Sequence, residues 1–236
     1  HFLVATMLML VPMRMKVEDL TADEAIAKVL AQNIHGLELD QRCVEIAAFN
    51  VALESWRYPN CSGYRPLPLL NVAWVGQPIK AKKEDWVSLA GNDDRLFQGM
   101  AKLYDTFKDA PVLGSLIDPT KTVGGDLFTS EYTELKPLLN EALHRFETDD
   151  NKEVAIAAKG IVKAISLLTR KYQIVLTNVP FKETKQLNNK LQEFIFKFYP
   201  KGKTNLATAF ILRISKFLVN EGITALVSPH EWLYLK

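Results

Sequence analysis

Apolar positions along this chain recur in two rhythms, and the switches between them mark its elements. Residues Phe2 to Met13 are apolar almost all round, the pattern of a helix buried on most of its faces. Thr21 and Glu24 stand at capping-box spacing, and Ala25, Ile26, Val29 and Leu30 follow at helical intervals, which predicts a second helix. Asn33 to Leu39 is short, with Ile34, Leu37 and Leu39 as its apolar members, and it closes on Asp40. Val44, Ile46, Ala47, Ala48, Val51 and Leu53 then resume the helical stripe. Strand, acidic turn and helix make a βα unit, in which Leu37 and Leu39 are expected in the sheet core, Asp40 as an N-cap, and the ligand edge at the strand's carboxyl end.

Further on, Asn60 to Pro68 has loop chemistry and Leu69 to Val75 reads as a strand. From Gly76 to Arg170 the pattern is helical, broken at Gly91, Pro111, Gly124-Gly125 and Asp149-Asp150, with helices expected at Asn92 to Phe107, Ser130 to Phe146 and Lys152 to Leu168. An apolar strand from Tyr172 runs into Leu176-Thr177-Asn178-Val179-Pro180-Phe181. Helices are expected from Glu183 to Phe198 and from Asn205 to Leu218, a strand from Gly222 to Val227, and a last helix or turn from Ser228-Pro229-His230. The alternation predicts an α/β fold with crossover connections. Its divisions are expected at 1–75, 76–170 and 171–236.

Composition changes this picture little. With 48% hydrophobic and 24% charged residues the 236-residue chain is ordinary for a globular protein, and disorder is excluded as its general state. Two cysteines, Cys43 and Cys61, lack ligand spacing, so no metal site is expected and a reducing, cytoplasmic setting is. The apolar start is too short to span a bilayer and has no basic region before it, so no membrane is expected. The chain opens on His1 inside a helical pattern, from which the sequence is expected to begin within a larger gene product. A net charge of +2 decides nothing about nucleic acid, but Lys80, Lys82 and Lys83 with Trp86, and Lys182, Lys185, Lys201 and Lys203, supply basic positions suited to phosphates.

The chemistry gathers at Asn178 to Phe181. An amide, a fixed turn and a flat aromatic face within four residues at a strand's carboxyl end suit a planar nitrogen nucleophile. The stretch resembles the (Asp/Asn/Ser)-Pro-Pro-(Tyr/Phe) motif of S-adenosylmethionine-dependent amino methyltransferases, with Val179 in place of the first proline. His1-Phe2-Leu3 resembles the tail of their glycine-rich first motif, and Gly36-Leu37-Glu38-Leu39-Asp40 their second. Lys203 to Phe210 and Gly222 to Leu233 resemble the later motifs, a helix opening Asn-Leu-x-x-x-Phe and a strand ending Val-x-Pro-x-x-Trp-Leu. Arg42 to Phe49 is similar to the adenine-specific methyltransferases of BREX phage-exclusion systems, which also carry Asn-Val-Pro before the aromatic.

The resemblance implies a Rossmann-like class I methyltransferase sheet with helices on both faces. Its central first strand would lie upstream of His1, and a long helical insertion would precede the catalytic strand. It implies S-adenosyl-L-methionine as cofactor, contacted by Phe2, Glu38, Leu39 and Asn71, with Glu38 taking the ribose hydroxyls. Asn178 and the Val179 carbonyl would accept hydrogen bonds from an adenine amine, Pro180 would fix the turn, and Phe181 would stack on a base flipped out of double-stranded DNA. Val179 for proline is expected to loosen that turn. Restriction-modification or phage defence is the implied setting, with other defence-system proteins as partners. Two other readings stay open: a protein-glutamine N5 methyltransferase, whose amide nitrogen poses the same electronic problem, and a catalytically incompetent binding or scaffold segment.

Overall fold

The apolar first helix runs past its sequence stripe. In a computed structural model, which describes residues 1–88, 90–120 and 152–228, α1 spans Phe2–Glu18 and buries Met7 and Val11 completely. Its end is set by Asp19 in the left-handed conformation, and Glu18 meets Lys28 at 2.8 Å. The capping box forms as expected: Thr21 Oγ1 accepts from Glu24 N, and Glu24 Oε2 accepts from Thr21 N at 2.9 Å, starting α2 (Ala22–Lys28). One wide π-helical turn, Val29–Asn33, follows before β1 (His35–Glu38). Asp40 Oδ1 accepts from Arg42 N at 2.8 Å and caps α3 (Gln41–Arg57).

Beyond the loop, β2 (Asn71–Trp74) pairs in parallel with β1, His35 opposite Asn71 and Glu38 opposite Trp74. Met7, Val11, Ala25, Ile26, Val29, Leu30, Ile34 and Val51 form one core around which this pair is laid. The expected core position of Leu39 is corrected: it lies just past the strand end and is 46% exposed. These elements make up the first of two compact units, His1–Gln77, and the second is Pro78–Lys236.

The second unit begins with α4 (Lys83–Ser88), α5 (Asp94–Phe107, capped by Asp93) and the short α6 (Ala110–Leu113). After α7 (Lys152–Thr169) come β3 (Tyr172–Asn178), α8 (Asn189–Phe198), α9 (Leu206–Ser215) and β4 (Leu218–Val227). β3 and β4 are parallel, with Ile174 opposite Ile223 and Asn178 opposite Val227. α9 ends three residues before the expected Leu218, and β4 begins there, because Glu221 takes a φ of 64° and bends the strand without ending it. The expected helix Ser130 to Phe146, the Gly124-Gly125 pair and everything after Ser228 lie outside the described residues. No described helix is long and apolar enough to cross a membrane. The architecture is α/β, with small parallel sheets connected through helices.

Candidate active site

Two strand ends hold the candidate site residues, one in each unit. At the first, Glu38 closes β1, and its Oε1 accepts from Leu39 N at 2.7 Å and Asp40 N at 3.1 Å. This fixes the carboxylate against its own turn and leaves Oε2 with no partner among the described residues. The neighbouring acid is otherwise engaged. Hydrogen bonds from the Arg42 side chain and backbone hold the Asp40 carboxyl below its ordinary pKa, as befits a helix cap. The main chain of the turn is bolted to β2: Val75 N donates to Glu38 O at 2.8 Å and Trp74 Nε1 to Leu39 O at 2.9 Å. Gly76 is required beside it, since a Cβ there would lie 2.3 Å from Leu39 O.

Phe2 opens α1 and is 47% exposed. The start of that helix lies against β1, for a Cβ added to Gly36 would come within 3.3 Å of Leu3 Cδ1. Asn71 is placed differently from Glu38. It sits at the amino end of β2, about 10 Å away along the strand direction at ~3.3 Å per residue. Its Nδ2 is committed to the carbonyls of Ala31 at 2.9 Å and Leu30 at 3.4 Å. The structure therefore sets the start of α1, where Phe2 lies, against β1, which Glu38 closes, and holds Asn71 at the opposite end of the strand pair as a fastener of the π-helical turn.

At the second strand end, Asn178 is exposed, level with Val227, and its side-chain amide has no partner among the described residues. Val179 does not loosen the turn as expected. Its N–H donates to Val227 O at 3.2 Å, a bond proline could not make, and its side chain is 2% exposed against Ala207 and Ile214 of α9. The far end of the loop is pinned too. Leu206 N donates to Lys182 O at 2.9 Å, Thr184 N to Thr204 O at 3.1 Å, and Glu183 and Asn205 form an antiparallel bridge. Asn205 caps α9 through Ala207 N at 2.9 Å. Between these anchors Pro180 and Phe181 project, Phe181 being 54% exposed.

Other basic positions are not equivalent. Lys83 is paired with Asp105 at 2.6 Å, and Trp86 is no stacking surface: it is 1% exposed, with Nε1 bonded to Met100 O. Cys43 and Cys61 are free thiols, and no cluster of three or more His, Cys, Asp or Glu among the described residues could hold a metal.

The residue that sequence reasoning missed is Arg213, the one strong cation within the apolar helix α9. It is 2% exposed. Its Nε donates to Ser115 O at 3.0 Å, its Nη2 to Leu168 O at 2.8 Å and Ile117 O at 2.9 Å, and its Nη1 lies 3.5 Å from Asp118 Oδ2. The guanidinium also covers the Phe217 ring at 4.1 Å. Burial pushes Asp118 up, but Arg213, Thr120 and Lys216 outweigh it and hold the carboxyl below its ordinary value. Burial pushes the Tyr172 phenol up to about 12. An arginine alone among apolar neighbours was the available signal, because such a cation is buried only when it is paired.

Comparison with known proteins bears on both strand ends. The family model described as Eco57I restriction-modification methylase matches residues 32–236. The adenine-specific methyltransferase PglX of Lacticaseibacillus casei (strain Zhang) is 22% identical over 219 residues, covering 92% of this chain and 18% of that protein. The adenine-specific methyltransferase BrxX of Escherichia coli O9:H4 (strain HS) is 24% identical over 234 residues, covering 88% of this chain and 18% of that protein. The chain thus spans under a fifth of the length of these relatives.

Proposed function

The chain belongs to the Eco57I restriction-modification methylase family, and from that premise we propose that it carries the ribose-binding acid and the target-base loop of an adenine-N6 DNA methyltransferase. One observation carries the reading: an exposed Asn178 amide with no partner among the described residues, beside an exposed Phe181, on a loop anchored at both ends. The exocyclic amine of adenine is a poor nucleophile, since its lone pair is delocalised into the ring. Asn178 Oδ1 and the Val179 carbonyl accept its two N–H bonds, which favours the pyramidal nitrogen that reacts. Because both acceptors sit on a pinned loop, they need no reorganisation as positive charge develops. Phe181 stacks on the flipped base and replaces the contacts it lost on leaving the duplex.

The residues present fit the ribose end of S-adenosyl-L-methionine, which supplies an activated methyl group when bound. Glu38 holds a carboxylate at a strand's carboxyl end whose Oε2 has no partner among the described residues, suited to paired hydroxyl donors. Phe2 and Leu39 offer exposed apolar surface in the same unit. Asn71 is left outside the proposed site because its amide is spent at the other end of the strand. The finer fold, a class I methyltransferase sheet, is part of the same proposal and is supported by two parallel strand pairs joined through helices. The names of the relatives favour adenine over a protein amide. A restriction-modification or phage-defence setting, with other defence proteins as partners, rests on the motif resemblance.

The test is transfer of labelled methyl to adenine-containing duplex by the protein at its full genomic length, with Asn178→Ala beside the parent. Losing one preorganised contact to the reacting group is expected to cost ~100-fold or more in rate with thermal stability unchanged. Undiminished transfer would remove the loop from the chemistry.

A further inference from the structure

The antiparallel bridge between Glu183 and Asn205 draws together two stretches far apart in sequence, and both are basic. Residues 178–186 and 199–205 hold Lys182, Lys185, Lys201 and Lys203 against the single carboxylate of Glu183, a net charge of +3 where the whole chain carries +2. All four lysines are exposed. Three lysines elsewhere are neutralised by acids: Lys28 meets Glu18 at 2.8 Å, Lys83 meets Asp105 at 2.6 Å, and Lys190 meets Asp109 at 2.5 Å. None of the four at the bridge has such a partner among the described residues.

Their backbones are held rigidly. Lys182 gives its carbonyl to Leu206 N, Lys185 lies in the 3-10 turn Thr184–Gln186, and Lys201 lies in the turn Pro200–Gly202. That second turn is locked against α9, since a Cβ on Gly202 would lie 2.8 Å from Ala209 N and Thr208 Oγ1 donates to Gly202 O at 2.9 Å. Like charges held close on fixed backbone repel one another unless an anion is placed among them. Lys182 directly follows Phe181 in the chain.

We infer that Lys182, Lys185, Lys201 and Lys203 form a clamp for the phosphodiester backbone of the DNA strand that delivers its base to Asn178 and Phe181. The inference rests on reading that loop as the target-base site. A nucleotide carries its phosphates on the same sugar as its base, so a loop that takes the base faces backbone phosphates beside it. Lysine ammoniums suit this task as point charges that hold phosphates without reading sequence. The sequence offered Lys80, Lys82, Lys83 and Trp86 on equal terms, but Lys83 is neutralised and Trp86 buried.

The experiment is fluorescence anisotropy of a labelled adenine-containing duplex with the full-length protein, titrated over about 50–200 mM salt. A fourfold variant, K182Q/K185Q/K201Q/K203Q, is compared with a charge-matched control at exposed sites elsewhere, K16Q/R57Q/K108Q/R170Q. Each lost phosphate contact lowers the slope of log K against log salt by ~0.9, so the clamp variant should lose about 2–4 and the control under ~1. Equal losses in both variants would show bulk charge at work and overturn the clamp, as would an unchanged slope. Binding to poly-glutamate that falls in the clamp variant while its DNA slope persists would overturn it in favour of an acidic protein partner. The methyl-transfer assay on the unsubstituted protein separates this from the parent reading: a salt slope that falls in the clamp variant, in a protein whose parent form transfers no methyl to adenine, would sink the proposed function and leave the clamp standing.

Discussion

Arg213→Met removes the guanidinium from the second unit while keeping an unbranched, apolar stem in α9. Three backbone carbonyls, of Ser115, Ile117 and Leu168, lose their donor, and Asp118 loses its buried counter-ion at 3.5 Å. Unsatisfied buried acceptors cost ~1–3 kcal/mol each. Part of that sum is offset, because burying the arginine was itself costly. Breaking a buried pair by removing one partner costs ~3–5 kcal/mol, which sets the expectation. Against a typical total of ~5–15 kcal/mol, the second unit should be severely weakened. Urea unfolding should be read by hydrogen exchange at residues 113–118 and 172–178, with residues 25–38 of the first unit as internal control, since local protection reports each region's own stability. Acidity supplies a second arm. Asp118 is held below its ordinary value, so its stabilisation is present above the unfolded pKa of ~3.9 and is lost as pH falls through the folded one. Without Arg213 the burial that pushes Asp118 up goes less opposed, so the gap between parent and variant should narrow as pH drops below ~4. A loss under ~1 kcal/mol at neutral pH, well short of the cost of breaking a buried pair, would refute the reasoning, as would a gap that widens in acid.

Two more substitutions test the loop and the acid turn. Val179→Pro, which restores the residue usual in the resembling motif, deprives Val227 O of its donor. Stability should fall by about 1–2 kcal/mol, the ~1–3 for the lost bond less the ~0.4–1 that proline recovers from the unfolded state. Denaturant midpoints measure this, and a stabilised variant would show that the Val179 N–H bond is dispensable. Gly76→Ala drives a Cβ against Leu39 O, so the turn that carries Glu38 must shift. A stability loss of ~1–3 kcal/mol is expected, together with weaker S-adenosylmethionine binding by calorimetry. Unchanged affinity would separate Glu38 from the cofactor.

The elements that sequence foretold best are those decided within one helical turn. The Thr21/Glu24 box and the Asp40 cap need only residues two or three positions away, and both form. The strand His35–Glu38 follows from its apolar run and the polar turn behind it. Leu39 was misplaced because alternation says which face a residue takes only while the strand lasts, and β1 stops one residue earlier. Likewise Glu221-Gly222 has the composition of a turn. In β4 it is an irregularity inside a strand, which a local pattern cannot tell from a boundary.

What was illegible is the satisfaction of polar groups by distant segments. Arg213 bonds to residues 45, 96 and 98 positions away, and nothing near it in sequence names them. Val179 makes the same point inside the motif. Judged against a motif with proline, it looks like a loss of rigidity, because proline fixes its own φ. In the fold its N–H reaches Val227 and its side chain fills the space between β3, β4 and α9, so two long-range contacts replace one local constraint. A motif read by identity scores this position as a mismatch. Under the proposed function the position must aim a carbonyl from a fixed backbone, and Val179 meets that requirement by another route. The route ties loop rigidity to α9, and through Arg213 to Ser115, Ile117 and Asp118 of the helical stretch before β3. A substitution in that stretch, far from Asn178 in sequence, can therefore reach the candidate site through packing alone.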